Sequence, residues 1–356
     1  MGLFCRLLGH KYDENDVCTR CGTSRHSQGL KFKKTPDKQG YVLTDARACA
    51  DESITVPAQY KRKPVLEIGS GVFAHRETPF RIKLHQKLRH IGSRAFADSA
   101  LIGIDYAGAS CTLGTGVFAS CRQLPLAELP EGLTELPDAA FEHCVALTEV
   151  HLKNSVRSVG NRAFNGCTSL RTFDYDSQTL TLGNVVFREC TALESIRLPR
   201  DMTVLGDYLL SNCTSLRTLE LPEGITALGE YALAGCSGLL ELRLPAGLVT
   251  VGAGAFCDCE GIETLEFPAT LTDFVPNEAG EGDAMRGCTA LCRIVMHPGV
   301  KQFPRGTLAD CTSLTDIELV GGKSQDWRAI QKDDGFDTGS GTYVVHLING
   351  RIRKGS

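Results

Sequence analysis

One spacing constrains this chain of 356 residues more than any other feature. An aromatic or aliphatic residue stands three places before a cysteine at Phe118/Cys121, Phe141/Cys144, Phe164/Cys167, Phe187/Cys190, Leu210/Cys213, Leu233/Cys236 and Phe256/Cys259, in steps of 23 residues. Met285/Cys288 follows after 29, one period plus six inserted residues, and Leu308/Cys311 restores the step of 23. Upstream, Phe96/Ser99 and Phe73 carry the register back, which gives eleven turns. Self-similarity at such a period is the signature of a solenoid.

Within a turn the apolar positions fall in fixed columns, Leu216, Leu219, Leu221, Ile225, Leu228 and Leu233 in one repeat and Leu239, Leu242, Leu244, Leu248, Val251 and Phe256 in the next. Alternation over Leu219 to Leu221 predicts a half-buried strand. Pro222, like Pro199, Pro245 and Pro268, ends it because proline offers no N–H to a ladder. Gly229, like Gly160, Gly206 and Gly252, is expected to let the backbone turn before about one helical turn that carries the Phe and Cys columns. Six buried apolar side chains contribute on the order of 10 kcal/mol per turn. Fixing the 23 backbones costs roughly 1 to 2 kcal/mol each. A turn therefore folds only when stacked on others, and the ends need caps.

Composition narrows the function classes. With 42% hydrophobic and 22% charged residues the chain can bury a core. Thirty-eight Lys and Arg against 42 Asp and Glu leave a formal charge of -4, so there is no global field for a phosphate backbone. The mean hydropathy is -0.08, and no apolar run approaches a membrane span. The opening Met1-Gly2-Leu3-Phe4-Cys5-Arg6-Leu7-Leu8 is too short and too interrupted for a secretory peptide, and Arg6 stands where a myristoylation signal has Ser or Thr. The expected location is cytoplasmic, where thiols stay reduced.

The repeat unit, as in Cys213-Thr-Ser-Leu-Arg-Thr-Leu-Glu-Leu-Pro, resembles the BspA-like leucine-rich repeats, also called the Treponema pallidum type, over roughly residues 29–354. The resemblance implies an α/β solenoid: a right-handed leucine-rich-repeat rod of short parallel strands with one helical turn per repeat, capped by β-hairpins. Gly29-Leu-Lys-Phe through Ile54-Thr-Val-Pro looks like the entry hairpin and first half-turn, and Gly322-Lys-Ser-Gln-Asp-Trp followed by Tyr343-Val-Val-His looks like the exit cap. Trp327 is then a cap residue. The expected division is a zinc-ribbon-like segment over 1–27, a solenoid over 28–320 and a cap over 321–356. Residues 99–118 and 274–285 depart from the pattern.

Nine cysteines from Cys121 to Cys311 share one column and read as small buried hydrophobes whose thiols donate weakly to backbone carbonyls. Ser99 replaces one without evident compensation. Cys257 and Cys292 lie off the column and are the better candidates for reactive thiols, with an unremarkable surface thiol the favoured reading of each. Outside the repeat, Cys5, His10, Cys18 and Cys21 have the spacing of a tetrahedral zinc site. Bound zinc would supply folding energy that a short segment with few apolar side chains lacks. Its likeness is to small bacterial zinc ribbons, with a structural or adaptor role. A leader with adventitious thiols and a redox Cys-x-x-Cys are the alternatives.

The residue between the second and third Leu positions should face outward, and that column reads Glu128, His151, Asp174, Arg197, Glu220, Arg243 and Glu266. Alternating sign along it gives either a solvated ion-pair ladder or a docking face for a protein or glycan. The acidic insertion with Glu278, Glu281 and Asp283 is a second candidate surface. No Gly-x-Ser-x-Gly elbow, phosphate loop or His-Glu-x-x-His helix is present, so an enzyme is not expected. These readings converge on a non-enzymatic interaction scaffold that binds a macromolecular partner through its strand face. A nucleic-acid adaptor acting through the leader is the second reading, since residues 1–40 hold eight Lys and Arg against four Asp and Glu. A surface adhesin exported without a standard signal is the third.

Overall fold

The computed structural model describes residues 27–175 and 179–354. The four expected zinc ligands, Cys5, His10, Cys18 and Cys21, lie outside the described residues. The rest is a β-solenoid of about twelve turns with almost no helix. Its described residues cluster into two compact units, 27–167 with Tyr175, and 168–174 with 179–354.

In the first unit a hairpin of β1 (Lys31–Lys34) and β2 (Tyr41–Asp45) leads into a parallel ladder through β5 (Lys63–Ile68), β7 (His90–Ile91) and β9 (Thr112–Leu113). β4 (Gln59–Tyr60) folds back on β5. A second parallel ladder stacks β3 (Ser53–Thr55), β6 (Phe80–Lys83) and β8 (Leu101–Asp105). Ile54 pairs with Ile82, so the expected half-turn at the entry is a full turn, which accounts for a count above eleven. The shortened repeat keeps its register too, because a bulge between Phe80/Arg81 and Leu101/Gly103 restores the alignment of Ile82 with Ile104.

The second unit repeats both ladders. One pairs 195–197 with 218–220, and separately 264–266 with 293–296, 316–319 and 344–347. The other joins 204–205, 227–228, 250–252 and 273–275. This second ladder, carried by segments such as Ala227–Leu228, was not anticipated as strand, because two-residue strands are too short to show alternation.

The expected helical turn is absent from the repeats, and the reason lies in the backbone. Two residues in each corner have positive φ, two before and two after the Phe column: Arg94 (53°) and Asp98 (55°), Tyr208 (53°) and Asn212 (60°), Tyr231 (51°) and Gly235 (72°). Left-handed residues at that spacing interrupt a right-handed helix. The corner N–H groups instead reach the next turn, as Arg94 N to Thr115 O (2.9 Å), Phe96 N to Val117 O (2.9 Å) and Asp98 N to Ala119 O (2.8 Å). Tyr208, Leu210 and Asn212 donate in the same way to Glu230, Ala232 and Ala234. Within each corner the chain closes by β-turns, such as Ala95 N to Gly92 O and Cys121 N to Phe118 O. The one helix among the described residues is α1 (Ser324–Ala329), in the closing cap.

Burial follows the sequence columns. Phe73, Phe96, Phe118, Phe141 and Phe164 are buried and stack ring on ring with centroids 5.1 to 5.6 Å apart, an offset arrangement that adds to the area they remove from water. Strands end before Pro199, Pro222 and Pro268 as expected, whereas no strand precedes Pro245; the proline carbonyl opens the next turn in either case, with Ile225 N donating to Pro222 O at 3.1 Å and Leu248 N to Pro245 O at 3.1 Å. At the exit, Trp327 is buried against Phe303 (5.8 Å) with Lys332 Nζ 4.5 Å from its ring centroid, and the 344–347 and 350–353 strands form the closing hairpin.

The glycine column is required for a different reason than a tight turn. Gly160, Gly229 and Gly252 do not have positive φ. A Cβ on Gly252 would lie 2.7 Å from the Gly229 carbonyl carbon and 2.9 Å from the Glu230 nitrogen, so successive turns touch backbone to backbone there. Gly252→Ala is therefore expected to cost about 2 to 3 kcal/mol through overpacking. Gly247→Ala, where the nearest atom is 3.9 Å away, should be neutral or stabilise by about 0.5 kcal/mol. Urea unfolding of the two variants measures the contrast.

Candidate functional site

All seven residues of the predicted outward column are exposed. Glu128 and His151 belong to the first unit, where a parallel bridge between Leu126 and Glu149 sets their segments side by side. Asp174, Arg197, Glu220, Arg243 and Glu266 belong to the second. Arg197 stands in register opposite Glu220, and the column continues from Glu266 to Val295, Glu318 and His346. Strand alternation, with Ile196, Leu219 and Leu265 pointing into the core, is what turns Arg197, Glu220 and Glu266 outward.

The face carries more ion pairing than the seven positions alone suggest. Arg293 pairs with Glu318, and His346 Nε2 lies 2.6 Å from Asp316 Oδ1. Hydrogen bonds from Thr315 and then His346 hold the Asp316 carboxyl below the ordinary aspartate value. Arg293, exposed, and Asp316, partly exposed, occupy a parallel column two residues before the predicted one. The same alternation exposes them, so the sequence held the signal for both.

Between the strands 218–220 and 264–266 the ladder is interrupted. Residues 241–245 adopt no strand, although Leu242 and Leu244 remain buried. A cavity of about 750 Å³ opens there, lined by Leu240, Glu241, Arg243, Glu263, Glu266 and Arg293. Leu240 is 64% exposed, an apolar side chain among charges of both signs. Two of the predicted face residues, Arg243 and Glu266, are thus brought into one concavity.

The acidic insertion is an ordered turn. Asn277 Oδ1 accepts from the backbone N–H of Ala279 (3.0 Å) and of Glu281 (2.9 Å), and Asn277 N donates to Glu281 O at 2.9 Å. Glu278 and Glu281 are exposed, but Asp283 is buried, with Arg286 3.8 Å away, and burial raises its pKa. Asp283 belongs to the corner, so the acidic surface is smaller than the sequence suggested.

The cysteine column is a set of thiol donors. Sγ of Cys121, Cys144, Cys167, Cys213, Cys236, Cys259, Cys288 and Cys311 each lies 3.0 to 3.2 Å from the carbonyl oxygen of the Phe-column residue one turn earlier. Ser99 does have a partner, since its hydroxyl is 3.7 Å from Cys121 Sγ. Burial pushes Cys121, Cys167, Cys236 and Cys311 up to about 12, and Cys144, Cys213, Cys259 and Cys288 well above the usual thiol value. Cys257, one of the two off-column thiols, is only partly exposed. Burial and then the neighbouring Asp258 raise its pKa to about 12, which suppresses the thiolate. Cys292 is half-buried and donates to Glu263 O at 3.3 Å. Among the described residues no group of three or more His, Cys, Asp and Glu is placed to hold a metal ion. No helix among them is long and apolar enough to cross a membrane.

Comparison with known proteins agrees with this architecture. The profile of the BspA type leucine rich repeat region matches residues 47–171, 157–279 and 241–324. No curated protein matches the chain. Among solved structures, a leucine-rich repeat protein from Bacteroides ovatus has a TM-score of 0.66 at 20% identity, over 88% of this chain and 80% of that one. A leucine rich cell surface protein from Faecalibacterium prausnitzii has a TM-score of 0.55 at 21% identity, over 86% and 97%. The pneumococcal vaccine antigen PcpA has a TM-score of 0.51 at 18% identity, over 87% and 88%. At these identities the likeness is one of fold.

The thiol column predicts a pH dependence. An unfolded thiol ionises near its ordinary value of about 9, whereas the folded column stays protonated to about 12 or beyond. Deprotonation therefore favours the unfolded chain as pH rises between those values. The melting temperature should fall steeply from pH 9 to 12, and Cys213→Ala with Cys236→Ala should flatten that slope while lowering stability at pH 7.

Proposed function

The chain belongs to the BspA-type leucine-rich repeat family, and from that premise we propose that it is a non-enzymatic scaffold that binds a protein partner through the strand face of its second unit. The observation that carries this reading is the cavity at Leu240, Arg243, Glu266 and Arg293. It sets an exposed apolar side chain among fixed charges of both signs, the combination from which specific protein contacts are built. Exposed Arg197 and Glu220 extend the face along the neighbouring strands. Leucine anchors affinity by leaving water, while the alternating charges select a partner of complementary pattern and set the association rate.

Capture from lysate with the full chain tests this. The protein retained by the native chain should be lost from an Arg197→Glu, Arg243→Glu variant and weakened by Leu240→Ala. Equal capture by all three moves the binding site off this face. Labelling of intact cells decides between an internal scaffold and a surface one, the latter favoured by the cell-surface description of the Faecalibacterium protein.

The leader adds a second element to the proposal. Cys5, His10, Cys18 and Cys21 would hold one structural zinc ion, supported by the Cys-x-x-Cys-Gly spacing and by the donor set that tetrahedral zinc prefers. Metal analysis of the purified chain should find about one zinc per chain. Loss of that zinc in Cys18→Ser and Cys21→Ser checks the assignment.

A further inference from the structure

The chain as a whole is acidic, but residues 27–94 hold fourteen Lys and Arg against six Asp and Glu. The entry cap concentrates that excess. Phe32 of β1 stacks on Tyr60 of β4 with centroids 4.6 Å apart, which draws the first hairpin against the β4–β5 hairpin. Lys63 Nζ donates to the Lys38 carbonyl oxygen and ties the two hairpin turns together. Lys33, Lys34, Lys38, Lys61, Arg62 and Lys63 are thereby gathered on one cap, all exposed.

Two acids of the cap are engaged by groups other than these turn lysines. Asp45 is occupied by Lys31 (3.1 Å) and Arg47 (3.0 Å). The Asp37 carboxylate accepts from the Thr35 hydroxyl (2.5 Å) and the Gln39 N–H (2.9 Å). Among the described residues, Lys33, Lys34 and Lys38 have no ion-pair partner in this cap, and Lys61 approaches the Tyr60 ring at 5.4 Å. Lysines on β1 have an ordinary use in blunting an exposed sheet edge. That use does not extend to Lys38, Lys61 and Arg62, which lie in turns. Lys61 (φ 47°) and Arg62 (φ 64°) sit at the two left-handed positions of a hairpin turn where Asn and Gly are favoured, and two cations stand there instead.

We propose that this entry cap binds the phosphate backbone of double-stranded nucleic acid without reading its sequence. Charge density selects the partner, since a duplex carries one charge per about 1.7 Å of axis and releases condensed counterions to each lysine that neutralises a phosphate. The aromatic residues do not offer bases a stacking platform. Tyr60 is covered by Phe32, approached by Lys61 and met edge-on by Tyr41 at 5.0 Å. Contact is therefore made through the backbone alone. The surface uses none of the residues of the strand face, so the two activities are separable.

The test is fluorescence anisotropy of a mixed-sequence DNA duplex of about 25 base pairs, titrated with the full chain between about 50 and 200 mM salt. Five phosphate contacts give a slope of log K against log salt near −4.5, since each contact contributes about −0.9. A Lys33→Gln, Lys34→Gln, Lys61→Gln variant with unchanged circular dichroism should lose about 2.7 of that slope and bind at least tenfold more weakly at the lowest salt. Arg197→Glu with Arg243→Glu should leave the slope unchanged even if it abolishes capture of the protein partner. Absence of binding at the lowest salt, or an unaltered slope in the triple variant, overturns the proposal. So does binding confined to heparin, to phosphatidylserine vesicles or to a second copy of the chain.

Discussion

Each corner of this protein hands its backbone N–H groups to the turn that follows, and most of what is distinctive about the sequence serves that transfer. A helix satisfies its amides internally and could end anywhere. Here the N–H of Phe96 is satisfied by Val117, and that of Leu210 by Ala232. A turn is consequently complete only when its neighbour is present, which makes cohesion a property of contacts between turns rather than within them. Left-handed residues such as Arg94 and Tyr208 aim the amides along the stack, and the glycine column lets the backbones come close enough to bond. The cysteines complete the pattern, since their thiols add a second donor to carbonyls that already accept from an amide, as Phe118 O does from Cys121 N and Cys144 Sγ.

The period, the core columns and both end hairpins are legible in the sequence because they depend on side-chain chemistry that repeats. Leu219, Phe256 and Cys213 announce their burial by recurrence alone. The corner is not legible in the same way. Arg94, Tyr208, Tyr231 and Asp283 share a left-handed backbone but no side-chain property, so the segment reads as helical until the φ angles are known. Two-residue strands such as Ala227–Leu228 are invisible for a related reason, being shorter than one alternation.

For the candidate face, outward direction follows from strand alternation and was legible from Glu128 through Glu266. Grouping was not. The break in the ladder at 241–245, which brings Leu240 together with Arg243, Glu266 and Arg293, has no marker at the core positions Leu242 and Leu244, and the departure of Leu240 from the Arg217 and Glu263 of the adjacent repeats does not by itself announce it. Asp283 shows the converse error, an acid that looks solvated by composition and is buried by its place in the corner.

The six-residue insertion is accommodated inside one connection, closed by Asn277, while the strands on either side keep pairing Thr264 with Arg293 and Leu265 with Ile294. The lattice of amide bonds thus tolerates extra length in a connecting bend, and within a strand it absorbs a single extra residue as a bulge. Lineages built on this plan can lengthen or shorten by duplicating or deleting whole periods and can vary individual bends freely. Variation in length is then expected to accumulate at the bends, leaving the ladders as the frame that presents the outward side chains.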